Sequence, residues 1–145
     1  MADTTKETNP KDLIGCTKLP LHLWPTTASA MGAIALLNGA LKYGRANWRV
    51  IGVRASIYFD AAQRHLTAWW EGEEEDEEGV PHLASALACL AIIVDAAAAE
   101  KLTDDRQVAG GHRKMLDELS AHVERLKNLH DGKAPKHYTI ADSTK

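Results

Sequence analysis

The chain has 145 residues, 45% of them apolar and 26% charged, with a formal net charge of −3 at pH 7. That length builds one domain with a real core, and the slightly acidic balance supplies no global field to recruit long DNA or RNA. The longest apolar run, from Leu83 to Ala99, is alanine-rich and interrupted by Asp95, so it reads as a buried core helix and not a membrane span.

In chain order, residues 1–12 are polar and aperiodic, with no signal-peptide pattern, and read as a disordered tail. Cys16 and Cys89 match no zinc or redox spacing, which fits reduced thiols in a cytoplasmic protein. Residues 13–26 carry two prolines and a glycine. They predict an extended segment across the domain, with Leu19, Leu21, Leu23 and Trp24 packing and Lys18 and His22 accessible.

A helix capped by Thr26 or Thr27 follows, running to about Tyr43 and stopped by Gly44. A loop holding Asn47, Trp48 and Arg49 leads to a second helix, about 54–71, ended by Gly72. Seven acidic residues, Glu71, Glu73, Glu74, Glu75, Asp76, Glu77 and Glu78, then form a loop closed by Gly79. A third, largely apolar helix starts near Pro81 and is expected at the centre. A fourth spans about 104–129, with Leu116, Leu119, Val123 and Leu126 in steps of three and four and Gly110-Gly111 bending its start. Residues 131–145 read as an irregular tail. The fold class is all-α, a single-domain bundle of about four helices over residues 13–130.

Several groupings can carry chemistry. Asp60, Arg64, Thr67 and Glu71 fall on one side of the second helix. A carboxylate one turn from a guanidinium can hold a divalent metal and neutralise a phosphate, or can simply be a solvated ion pair. His82, Ser85 and Cys89 form a polar-to-soft stripe on the third helix. Hard cations take carboxylate oxygens, so the acidic loop can supply ligands, although such runs are commonly just solvated. Lys18, Lys42, Arg45, Arg49 and Arg64, interleaved with Tyr43 and Trp48, suit a polyphosphate and a stacked base.

The pieces KDLIGCTKLPL, GALKYGRANWR, YFDAAQRHLTAWWEGE and GVPHLASALACL, in that order between Asp12 and Asp95, resemble the phage and bacterial dATP/dGTP diphosphohydrolase family, which is MazG-like and includes MazZ enzymes. The resemblance implies an all-α nucleotide pyrophosphohydrolase. It implies a purine nucleoside triphosphate substrate, Mg²⁺ or Mn²⁺ as cofactor, and a homo-oligomer, dimer or tetramer. MazG-like enzymes carry EExxE on one helix and ExxD on the next. Overlaying the hairpins puts Asp60, Ala61 and Arg64 under the first motif and His82 and Ser85 under the second, so only Asp60 keeps a carboxylate. The expected assignments are then Asp60, Arg64 and His65 as catalytic residues. Asp60, Glu71, Glu73 and His82 would be metal ligands, and Lys18, Lys42, Tyr43, Asn47, Trp48 and Arg49 would bind the nucleotide. Two other readings stay open: a triphosphohydrolase using His65, His82 and Asp95, and a non-catalytic helical module assembling through the Leu116–Leu126 seam.

Overall fold

A computed structural model describes residues 9–143; the expected disordered tail falls largely on residues 1–8, outside that range. Its framework is three helices. Helix α1 (Lys11–Gly15) is a single short turn ahead of them. Helix α2 (Thr26–Tyr43) begins directly after Pro25, whose fixed φ suits a helix entry. It ends where Gly44 turns to φ 89° and donates its N–H to the Ala40 carbonyl at 2.9 Å. Helix α3 (Ala55–Trp70) ends ahead of Gly72, at φ 95°. Helix α4 (His82–Ala98) follows Pro81. It packs against both α3 and α2, as expected of the central rod.

Small side chains line the packed surfaces. The buried apolar residues are Ala55, Ala62, Val80, Ala84, Ala86, Ala88, Cys89 and Ala96, and Ala84 and Ala96 are 0% exposed. On α2, a Cβ built on Gly32 would lie 3.8 Å from Leu87 Cβ, so small residues set that spacing as well. Among the described residues no large side chain is fully buried. Each buried methyl contributes only about 0.8 kcal/mol, so close backbone approach, more than bulk, holds the three helices in register.

Two residues on either side of the α3–α4 hairpin pair as a parallel clip, β1 (Val53–Arg54) with β2 (Leu102–Thr103). Val53 N–H donates to the Lys101 carbonyl at 3.0 Å. Gly52 makes this possible: at φ 83°, an added Cβ would stand 2.7 Å from the Lys101 oxygen.

Three expectations need correction. The segment 13–26 is not packed across the domain: it forms part of α1 and a 3-10 turn at Leu21–Leu23, and Leu19, Leu21 and Leu23 are more than 70% exposed. The last helix, α5 (His112–Leu129), starts eight residues later than expected, after Gly111 at φ 76°. Residues 104–111 instead stay irregular, anchored by the Asp105 carboxylate, which accepts from Ser56 N–H at 2.8 Å. The C-terminal tail holds a 3-10 turn, Ile140–Asp142, with a Thr139 capping box. Its Ile140 side chain covers the space where Gly72 would carry a Cβ. No helix among the described residues is long and apolar enough to cross a membrane.

Candidate active site

The most buried polar side chain marks the site. His82, in the first turn of α4, is 6% exposed, and its Nδ1 lies 2.9 Å from Nδ1 of His65 on α3. The two rings sit with centroids 5.2 Å apart. One proton is shared between two nitrogens, so one imidazole donates and the other accepts. Burial, and then the neighbouring His82, lower the His65 pKa from its ordinary value. His65 is therefore neutral at neutral pH and suited to accept. On the other edge of His82, Nε2 has Glu73 Oε1 at 3.1 Å but off the line of a ring hydrogen bond, and it has no hydrogen-bond partner.

The acidic loop is a built turn. Asp76 accepts from the N–H groups of Glu78 at 2.9 Å and Val80 at 3.0 Å, and these bonds, Val80 foremost, lower its carboxyl pKa. Asp76 N–H in turn donates to the Val80 carbonyl, and His82 N–H to the Glu74 carbonyl at 2.9 Å. Glu78 reaches α2, pairing with Lys42 and accepting from Asn38 Nδ2 at 3.1 Å. The turn thus brings Glu73 beside His82 and docks the loop on α2.

The expected residues divide between two ends of α4. His65, His82 and Glu73 come together. Asp60 does not join them. At about 100° per residue it lies roughly 140° around α3 from His65, and among the described residues neither it nor Arg64 forms an ion pair, so the expected Asp60–Arg64 pair is not made. Glu71 is exposed at the helix end. The four-ligand set of Asp60, Glu71, Glu73 and His82 is not assembled: among the described residues no three His, Cys, Asp or Glu converge as a metal cage.

Of the expected nucleotide ligands, Trp48 and Arg49 are occupied elsewhere. Trp48 Nε1 donates to Asp95 at 2.6 Å, and Arg49 grips the same carboxylate through Nε at 2.6 Å and Nη2 at 2.9 Å. Asp95 lies roughly 20 Å along the helix axis from His82, at 1.5 Å per residue, so this cluster staples the loop after α2 to α4. Asn47 belongs to that loop, its carbonyl accepting from Val50 and Ile51. Lys42 holds the acidic loop, while Lys18 and Tyr43 are exposed. An open apolar depression of about 290 Å³, lined by Leu66, Thr67, Trp69 and Trp70, begins one residue beyond His65.

Sequence reasoning missed Asp76 and Glu78 as individuals. The signal was present for Asp76: an aspartate three residues before Gly79 is the signature of a turn closed by its own carboxylate.

The Arg49 clamp sets a pH dependence. It holds the Asp95 pKa down to about 2 against an ordinary 3.8, with Trp48 adding to the effect. A depressed carboxyl pKa contributes stability that is present above 3.8 and lost as pH falls toward 2. Asp95→Asn should therefore lower the melting temperature at neutral pH. The gap from the parent should close through that acid window, as followed by circular dichroism melts. A gap unchanged down to the lowest pH would show that the carboxylate charge is irrelevant.

Paired imidazoles and a neighbouring carboxylate stand at one end of an all-α frame, and a family match places that frame among hydrolases acting on phosphoric anhydrides. Residues 8–106 match the family model described as dATP/dGTP diphosphohydrolase, N-terminal, and the chain belongs to that family. No curated protein and no solved structure matches the chain.

Proposed function

We propose that the chain hydrolyses purine deoxynucleoside triphosphates at the α-phosphorus, and that the His65–His82–Glu73 corner is where it does so. The oxygen of a water molecule bonds to the α-phosphorus. The bond to the α–β bridging oxygen breaks, pyrophosphate leaves, and the water's proton passes to solvent or a loop carboxylate. The observation that carries this reading is the unpartnered edge of His82, with Glu73 beside it, within a chain of this family.

The same edge tests the cofactor. If His82 donates Nδ1–H to neutral His65, its Nε2 lone pair stands free 3.1 Å from a carboxylate oxygen, and a cation held by both would relieve the two neighbouring acceptors. His82 and Glu73 thus fit Mg²⁺ or Mn²⁺ as partial ligands, the remaining positions being left for water and substrate phosphates, as is usual for Mg²⁺. When bound, such an ion polarises phosphate oxygens and acidifies a water. His65 holds His82 in the ligating tautomer, the role an outer hydrogen-bond partner plays for a ligating imidazole, and turns its own Nε2–H toward the phosphates. Arg64, exposed and unpaired among the described residues, offsets the charge of the leaving pyrophosphate. Lys18 and Tyr43 are free for the triphosphate tail, and the Leu66–Trp70 depression offers an apolar face to the base.

The test is product analysis. Incubation with dGTP or dATP and Mn²⁺ should yield the monophosphate and pyrophosphate. Because an imidazole favours Mn²⁺ over the harder Mg²⁺, half-activation should come at a lower concentration of Mn²⁺. Release of orthophosphate alone, or of nucleoside with tripolyphosphate, would exclude cleavage of the bond between the α-phosphorus and the α–β bridging oxygen.

A further inference from the structure

The Leu66–Trp70 depression gives a base one wall and leaves its outer side open. A second wall is available from the far end of the chain. Residues 136–142 fold on themselves. Lys136 Nζ donates to Asp142 Oδ1 at 2.7 Å, Thr139 N–H donates to Asp142 Oδ2 at 2.9 Å, and Ala141 N–H donates to Thr139 Oγ1 at 3.3 Å. Lys136 Nζ also stands 4.7 Å from the centre of the Tyr138 ring, over its face. One side of that ring is therefore held in advance, which lowers the ordering cost for anything that meets the other side.

This folded segment is fastened beside the candidate site. Ile140 Cδ1 occupies the space where a Cβ on Gly72 would stand, so only glycine lets the segment seat. Gly72 is itself tied to α3, its N–H donating to the Trp69 carbonyl at 3.0 Å. Trp70, which lines the depression, comes two residues before Gly72, and Tyr138 comes two residues before Ile140. Two residues span at most about 7 Å of chain, so both aromatics start within that reach of one contact. Each is 77% exposed, and among the described residues their rings do not stack on each other.

Charge points the same way. Residues 73–78 are all acidic, and a polyphosphate passing them is repelled unless cations stand near. Lys136 brings one to the rim. Residues 107–145 lie outside the family match, so this wall belongs to the chain's own extension and not to the shared domain.

We propose, resting on the reaction assigned above, that Tyr138 and Trp70 are the two sides of a slot for the purine ring, with the Ile140–Gly72 contact as its anchor.

Four full-length proteins decide it: the parent, Tyr138→Ala, Tyr138→Phe and Ile140→Asp. KM and kcat are measured with whichever of dGTP and dATP the parent turns over faster, and calorimetry gives the affinity for its α,β-methylene analogue with Mg²⁺. Tyr138→Ala should raise KM and weaken analogue binding by about 5–150-fold, the usual loss when an aromatic platform under a base is removed, with kcat near parental. Tyr138→Phe keeps the ring and should match the parent. Ile140→Asp unseats the segment and should reproduce the loss in Tyr138→Ala. Melting temperatures near parental show that the fold is intact, as expected for an exposed tyrosine. Parental affinity in Tyr138→Ala or in Ile140→Asp overturns the proposal. So does an equal loss in Tyr138→Phe, which would assign the effect to the hydroxyl. A parent that neither binds the analogue nor hydrolyses either nucleotide removes the reaction and the slot together, whereas turnover in the parent with unchanged variants removes the slot alone.

Discussion

His82→Ala should abolish nucleotide hydrolysis, and His65→Gln should reduce it by about 10–100-fold, the usual cost of losing an outer partner of a ligating imidazole. The two differ because their nitrogens do different work. His82 presents a buried, unpartnered Nε2 to Glu73, and no neighbouring side chain can replace it. His65 is half-buried and touches the site through one 2.9 Å contact, which a glutamine amide can partly reproduce. The loss in His65→Gln should appear as weaker activation by Mn²⁺, recovered in part at high metal concentration. Steady-state rates against metal concentration, with circular dichroism as a check on folding, measure this. Parental turnover in His82→Ala would remove the histidine corner from the reaction.

Ala86→Leu should destabilise the fold by roughly 1–3 kcal/mol, the range for extra methylenes forced into a packed core, and should cost activity as well. Ala86 is 3% exposed, about one turn beyond His82 on α4 and within roughly 40° of the same face, toward α3. An alanine has no rotamer to yield, so a larger side chain there must push backbones apart. The separation of α3 from α4 is also the separation of the two imidazoles. Ala97→Leu, the same change at an exposed position of α4, should leave both properties near parental. Thermal melts and initial rates of the pair distinguish overpacking from a general effect of leucine; equal melting temperatures for the two variants would show that the alanine packing is not tight.

The framework was legible because its signals are local. Helical spacing, Thr26, Pro81, Gly44 and Gly72 place both ends of α2 and α3 and the start of α4 within a residue or two of where they form, whereas α4 ends at Ala98 and not at the expected Leu102. The two-residue strands were not, since no pattern fits in so short a span. Leu19, Leu21 and Leu23 were read as packing on their own domain because apolarity says that a side chain wants cover without saying whose. Within the site, His65 and His82 were both named, yet their 2.9 Å pairing depends on how two helices cross and lies beyond sequence spacing. Asp60 was favoured because a carboxylate under a family motif outweighs one in a crowded acidic run. Glu73, expected as a ligand together with Asp60, is the carboxylate that comes within 3.1 Å of His82, next to the turn that Asp76 closes. Trp48 and Arg49 looked like free ligands because their partner, Asp95, lies far along the chain.

The Val53–Leu102 clip carries one last consequence. It joins the chain just before α3 to the chain just after α4. The hairpin is therefore a ring, shut by peptide bonds at its acidic end and by backbone hydrogen bonds at the other. A ring cannot fray from a tip, so the two rods can part only by bowing in the middle. The histidines sit beside the covalent closure, where bowing is least, and the geometry their shared proton needs is guarded by topology as well as by packing.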